Sequence, residues 1–442
     1  MRAPVNKLIR GFSRRGISRF CMPGHKGKRY TGCEKLDVTE VMGITDAYTE
    51  SERYATEIFG TAATLYSSEG STLSIKAMLA ILKKQKPEGR LTILAARNAH
   101  RAFLYGAAVL DADIIWLYPE EYTHLSACDI TPKRLRTALT ECDPTPDAVY
   151  VTSPDYLGNI LDVKGLAEVC HEYSIPLLVD NAHGAYLRFL EPSLHPMDLG
   201  ADMCADSAHK TLPVLTGGAY LHINKSAEHL VADAREAMSL FASTSPSHLI
   251  GASLDRCNSY LSGTYPKRLE KCIALIDKIK SRLQAHGCPT ESSEPLKIVL
   301  DPRKYLYTGV GFSKILRKFK IEPEMVDDEY AVLMATPDNT LRDYLRLLLA
   351  MRYIRKNPEL RELPELAPIT PSAPARKMSA REAILAPHEL ISTDDALGRV
   401  VGAPTVSFPP CVPILVSGEV IGSAELEILK RYGITSVEVV RE

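Results

Sequence analysis

The sequence lacks any apolar run of about 18 residues, so no segment reads as a membrane-spanning helix. The N-terminus MRAPVNKLIRGFSRRG is basic, but no apolar stretch of signal-peptide length follows it, and the expected location is cytoplasmic. Neither sign of charge is in excess. A formal net charge of -1 gives no electrostatic reason to expect nucleic acid or an anionic membrane as partner. The ten cysteines, at 21, 33, 128, 142, 170, 204, 257, 272, 288 and 411, contain no C-x-x-C pair and no spacing suited to a zinc site or a disulfide framework. Reduced, mostly buried thiols are expected. Internal repeats and low-complexity tails are also missing.

What is present is an ordinary globular composition, 45% hydrophobic and 24% charged, over 442 residues. That length suits two or three structural units, one large domain with a smaller partner, and leaves room for a buried cleft. Small molecules or a second copy of the chain are the expected partners.

Residues 1–48 show little periodicity and include the Gly- and Lys-rich stretch MPGHKGKRYTG, and they read as an N-terminal arm. A helix is expected to start at a capping box, Thr49 and Glu52, and to stop at Gly60. From about residue 60 to 225, short β-branched runs alternate with helical patterns, which argues for βαβ units and a mainly parallel sheet. The strand candidates are 63–67, 91–95, 113–117, 148–152, 176–180 and 218–223, and ligand sites are expected at their carboxyl ends. Helical sequence from 225 to 286 leads out of this large domain (49–286). A smaller α+β C-terminal region (287–442) follows, interrupted near 357–376 by five prolines that rule out a regular helix.

Several residues could carry chemistry. Asp180 ends an apolar strand, where an unpaired carboxylate would be costly, so it needs a cationic or donor partner. Lys210 follows 30 residues on, at the expected end of the next strand. A lysine that condenses with an aldehyde, facing an aspartate that keeps a pyridine nitrogen protonated, is what pyridoxal phosphate requires. By spacing alone a structural salt bridge is an equal reading. Gly70, Ser71 and Thr72 open an apolar helix after a strand, where free amides and hydroxyls hold an anion or merely cap. His100 and His183 both lie just past strand ends and could stack on a flat ring or orient a neighbour. His25 and Lys26 place an imidazole and an amine in a Gly turn without a readable role. Ser207-Ala-His-Lys210 formally fits S-x-x-K, but the S-D-N and K-T-G that accompany it in penicillin-recognising enzymes are absent. A metal on Asp180, His183 and His209 is disfavoured by the neighbouring lysine.

In chain order, FCMPGHKG, the Gly-Ser-Thr turn at 70–72, RNAHRA, VTSPDYLG, VDNAHGA, DSAHKTL, STSPS and FPPCVPILVSGE resemble the ornithine/lysine/arginine decarboxylase family over nearly the whole length. The resemblance implies an aspartate-aminotransferase-like large domain, that is, fold type I for pyridoxal 5'-phosphate, and decarboxylation of lysine, arginine or ornithine. It implies Lys210 as the cofactor lysine flanked by His209, Asp180 on the pyridine nitrogen and His100 on the ring face. Ser71, Thr72 and Ser207 would hold the phosphate, with Thr244 reaching it from a second subunit of a homodimer. With PGHK beginning at residue 23, the wing domain of longer members is not expected. An aminotransferase or aldolase on the same fold, or a non-catalytic scaffold, stays open at this point. The departures are Asn181 where the family commonly has an acid, SAHK for STHK, Gly217 for Gln, and FPPCVP for YPPGIP. They bear on substrate more than on chemistry. For the distal cation of a basic substrate, the acidic run Glu322, Glu324, Asp327, Asp328 and Glu329, and Glu419, are the candidate carboxylates.

Overall fold

The computed structural model describes residues 3–19, 21–28, 31–39, 41–120, 128–285, 293–327, 329–360, 362, 373–408 and 412–442. Seven strands form the central sheet: β1 (Ala63–Ser67), β2 (Thr92–Ala96), β3 (Asp113–Leu117), β4 (Ala148–Thr152), β5 (Leu177–Asp180), β6 (Met203–Asp206) and β7 (Ala219–Ile223). Their order is β1-β7-β6-β5-β4-β2-β3, and β7 alone runs antiparallel to its neighbours. Each strand expected from sequence falls within a residue of an observed one. The mainly parallel α/β fold is therefore confirmed, and β6 is the strand that brings the chain to Lys210.

Alternate residues of each strand feed two cores, as a sheet covered on both faces requires. Ile93, Ala95, Tyr150 and Leu178 face one side, and Leu94, Ala96, Val149, Val151 and Leu177 face the other. The helices of this region are α1 (Pro4–Arg14), α2 (Ile44–Phe59), α3 (Gly70–Gln85), α4 (Arg101–Val109), α5 (Pro132–Glu141), α6 (Val163–Glu172), the short α7 (Ala208–Thr211), α8 (Val231–Ser239), α9 (His248–Leu261) and α10 (Tyr265–Gln284). The middle of α3 is buried on almost every side, because the sheet, α4 and α8 all pack on it. Such a helix must be apolar all round, which Ile75, Ala77, Met78, Leu79, Ala80 and Ile81 satisfy.

Two expectations need correcting. The N-terminal segment is partly helical: Val5 and Ile9 of α1 share one face and pack with Val38, Val41 and Ala252. In addition, α2 begins at Ile44, five residues before the supposed cap, so residue 48 lies inside a helix. The Thr49 hydroxyl donates to the Thr45 carbonyl (3.1 Å), and buried Glu52 accepts from the Tyr66 amide (2.9 Å) and pairs with Arg235. The T-x-x-E pattern thus serves tertiary contacts rather than a helix end. Gly60 does stop the helix, in the left-handed conformation.

Beyond α10, strands β8 (Lys297–Leu300), β9 (Met325–Val326) and β10 (Ala331–Met334) make an antiparallel sheet backed by α11 (Gly309–Lys318) and α12 (Leu341–Lys356). This layer shares its core with α10, through Ile276, Ile298, Phe312, Leu347 and Ile354. The last stretch holds α13 (Ala380–Leu385), β11 (His388–Ser392), β12 (Thr405–Phe408), β13 (Val412–Val416), α14 (Ser423–Arg431) and β14 (Ser436–Val440) around a small core of Val401, Leu415, Ile421, Leu429 and Val439. Most of the proline-rich connection lies outside the described residues. Among the described residues no helix is long and apolar enough to cross a membrane.

Candidate active site

Asp180 is the last residue of β5 and is buried. Its Oδ2 accepts from the Tyr150 hydroxyl (3.1 Å) and its Oδ1 from the Ala182 amide (3.2 Å). Burial pushes its carboxyl above the usual range, with His100 and Lys210 opposing. The neighbouring parallel strand, β6, ends at Asp206, and α7 carries Lys210 immediately afterwards. The Lys210 Nζ lies 3.0 Å from the His183 Nε2. Asp180, His183 and Lys210 therefore meet at the carboxyl ends of two adjacent strands, as the sequence suggested.

An ammonium donating to His183 Nε2 leaves the ring proton on Nδ1, and that buried atom has no hydrogen-bond partner. Burial first, then Lys297 and Lys210, hold the His183 pKa well below the ordinary value, so the ring is neutral. His100 caps α4 and accepts the Ala102 amide at Nδ1 (3.2 Å). Burial lowers its pKa as well.

The anion turn assembles from three chain segments. The Ser207 hydroxyl donates to the Ser71 hydroxyl (2.8 Å), both residues being buried, and α3 starts without a side-chain cap over its first amides. The Gly70 amide donates to the Gly217 carbonyl (2.7 Å). Gly217 has φ +93°, and a Cβ there would sit 2.9 Å from the Ser68 carbonyl oxygen. Glycine at 217 is thus a steric requirement of this turn. The Gly218 carbonyl accepts from both the amide and the Nδ1 of His209, each at 3.0 Å. Thr244 is exposed on a loop that the Glu69 carboxylate holds by the Ser243 amide (2.7 Å).

Other candidates lie apart from this group. His25 pairs with Asp37 (3.3 Å) and Lys26 donates to the Cys21 carbonyl (2.6 Å), both within the N-terminal segment. Glu419 does not face a substrate. It is buried in a two-pronged pair with Arg97 (2.8 Å on each oxygen) that ties the C-terminal unit to the end of β2. In the acidic run, Glu322 pairs with Arg317, Glu329 with Arg431, and Asp327 caps its own turn, while Asp328 lies outside the described residues. Glu324 differs: it accepts from the Tyr156 hydroxyl (2.7 Å), and the Tyr156 ring stands edge-on to His183 at 5.1 Å. Sequence reasoning missed Tyr150 and Tyr156, although both sit in quoted motifs or strands. It also missed a buried cluster of His195, Asp206 and His222, the group of metal-ligand type found among the described residues.

A buried carboxylate and an amine, a buried ring N–H awaiting an acceptor, and paired hydroxyls at an uncapped helix start suit a phosphorylated pyridine aldehyde. Together with the sheet, these features define a fold type I pyridoxal-phosphate enzyme. Comparison with known proteins narrows the class. Residues 32–303 match the family described as Orn/Lys/Arg decarboxylase, major domain, and the chain belongs to that family. An arginine decarboxylase of Bacillus subtilis is 28% identical over 453 residues, covering 95% of this chain and 91% of its own. One from Halalkalibacterium halodurans is 28% identical over 408 residues, covering 86% and 80%. The Francisella novicida lysine decarboxylase superposes with TM-score 0.79 at 15% identity, over 99% of this chain and 81% of that one. The constitutive lysine decarboxylase of E. coli gives 0.75 at 17%, over 100% and 82%, and at such identities the likeness is one of fold. The chain is a pyridoxal-phosphate-dependent amino-acid decarboxylase.

Proposed function

We propose that this protein decarboxylates a basic amino acid, with arginine the first candidate and lysine and ornithine the others, releasing carbon dioxide and the corresponding amine. The observation that carries the reading is the meeting of Lys210, His183 and Asp180 at adjacent strand ends beside the Ser71–Ser207 hydroxyl pair. Bound pyridoxal phosphate supplies the electron sink that accepts the pair left by a departing carboxylate. Asp180 would hold a proton on the pyridine nitrogen through its charge. His100 would stack on the ring of the bound cofactor, and His183 would offer it the Nδ1–H while orienting Lys210. Gly70, Ser71, Thr72 and Ser207 hold the phosphate, with Thr244 of a second copy completing it in a homodimer. Lys210, with His209 beside it, would hold the proton destined for the α-carbon.

Arginine comes first because the full-length relatives named above are arginine decarboxylases. Glu324 is our candidate for the distal cation, since its carboxylate is bonded to Tyr156, whose ring packs edge-on against His183. The scattered free thiols suit a reducing, cytoplasmic setting. The test is a product screen: holoprotein is incubated separately with arginine, lysine and ornithine, and carbon dioxide and amine are quantified. Equal yields of the two from one of these substrates are expected. Keto-acid formation, or no turnover of any of the three, would sink the reading.

A further inference from the structure

The fully enclosed cluster beneath α7 has no part in the chemistry described so far. Asp206 closes β6 one residue before Ser207, and its Oδ2 accepts from His195 Nε2 (3.0 Å) and His222 Nε2 (3.1 Å). Its Oδ1 accepts from the Asn181 amide nitrogen (2.7 Å), with the Cys204 thiol at 3.4 Å. One carboxylate therefore joins the end of β5, the end of β6, β7 and the loop before β6.

The three ligand-type residues invite a metal, but their hydrogen bonds argue otherwise. The Met197 amide donates to His195 Nδ1 (3.3 Å), which puts the ring proton on Nε2, the atom that would have to ligate. Metal-bound histidines show the reverse, donating from the distal nitrogen. His222 Nδ1 meets the Thr64 hydroxyl (2.9 Å), so neutral rings satisfy every partner. Burial alone would push the Asp206 carboxyl up, but His195 and His222 outweigh it and hold it well below the usual range.

What the cluster does follows from its neighbours along the chain. Asn181 is bonded directly to Asp180, and its main-chain N–H donates to the Ala205 carbonyl (3.0 Å). Asp206 leads straight into Ser207 and the turn that carries Lys210, whose own amide donates to the Ser207 carbonyl (3.0 Å). We propose that Asn181 and Asp206 form a matched positioning couple, amide against carboxylate, that sets Asp180 and Lys210 at their working separation. The inference rests on the reading of those two residues as the cofactor's partners.

An acid at 181 would place two carboxylates 2.7 Å apart in a site closed to water. Such a pair shares a proton at low pH and repels once both ionise. The Cys204 thiol lies 3.4 Å from the same Asp206 oxygen and brings no positive charge to relieve the repulsion. In Asn181→Asp the couple therefore holds at acid pH and fails as pH rises.

The experiment measures the dissociation constant of pyridoxal 5'-phosphate by absorbance between pH 6 and pH 8 for wild type, Asn181→Asp and the exchange N181D/D206N. The single variant is expected to lose about tenfold or more in affinity across that range relative to wild type. The exchange, which restores one amide against one carboxylate, is expected to return to within about threefold of wild type with a flat profile. An N181D profile that parallels wild type, or an exchange no better than N181D, overturns the couple. Should N181D not fold, the exchange decides: a folded, cofactor-binding protein supports the couple, and an unfolded one overturns it. Wild-type protein that binds no pyridoxal phosphate would instead sink the cofactor reading beneath it.

Discussion

Asp180 is a carboxylate that folding alone disfavours. Burial raises its pKa in the folded chain without cofactor, so the ionised form is penalised and stability falls as pH rises through that raised value. Asp180→Asn removes the penalty. At pH 7 the cofactor-free variant is expected to melt above wild type, the gap closing towards about pH 4, where the unfolded carboxyl also protonates. The same variant should lose about a hundredfold or more in kcat, since an uncharged amide cannot keep the pyridine nitrogen protonated. A variant that is neither more stable nor less active would show that Asp180 is only a structural partner of Tyr150. Asp180 and Lys210 were legible in the sequence because each follows a short apolar run, where a parallel strand must end. The partners of Asp206 were not, because His195 and His222 meet it only through the β6–β7 pairing and a loop return.

At the scale of elements, six of the seven sheet strands were readable because they are short apolar runs bounded by turns, whereas β6, Met-Cys-Ala-Asp, has no β-branched residue and was not among the candidates. Helix α1 was not, because its buried face is only Val5 and Ile9, and its value depends on a groove formed by distant residues. The capping pattern at Thr49 failed for a related reason, since Glu52 was reserved for Tyr66 and Arg235. The turn from Lys210 to β7 shows how an apparent oddity becomes a constraint. Gly217 approaches Ser68 so closely, at positive φ, that any side chain strains both strands of the anion turn. Gly217→Ala is expected to cost roughly 1–3 kcal/mol in urea unfolding and to weaken pyridoxal-phosphate binding in parallel. An unchanged midpoint with unchanged affinity would mean the turn relaxes freely.

Across the whole molecule, two acids that looked alike in sequence sit in different surroundings. Glu419 and Arg97 form a buried pair between the C-terminal unit and the large sheet, and removing one partner strands a charge. Glu419→Gln should therefore cost roughly 3 kcal/mol or more of stability, with the KM for a basic substrate little changed in the protein that remains folded. Glu324→Gln should do the opposite, leaving the unfolding midpoint in place and raising that KM about tenfold or more. Denaturation curves and steady-state kinetics on the two variants separate the roles, and a swapped pattern would refute the assignment.

The most direct measurement is borohydride reduction of the yellow holoprotein followed by peptide mapping. A pyridoxyl group is expected on Lys210 alone, with loss of both colour and label in Lys210→Ala. Label on another lysine, or a protein that never takes up the cofactor, would contradict the site from which the rest of the account is built.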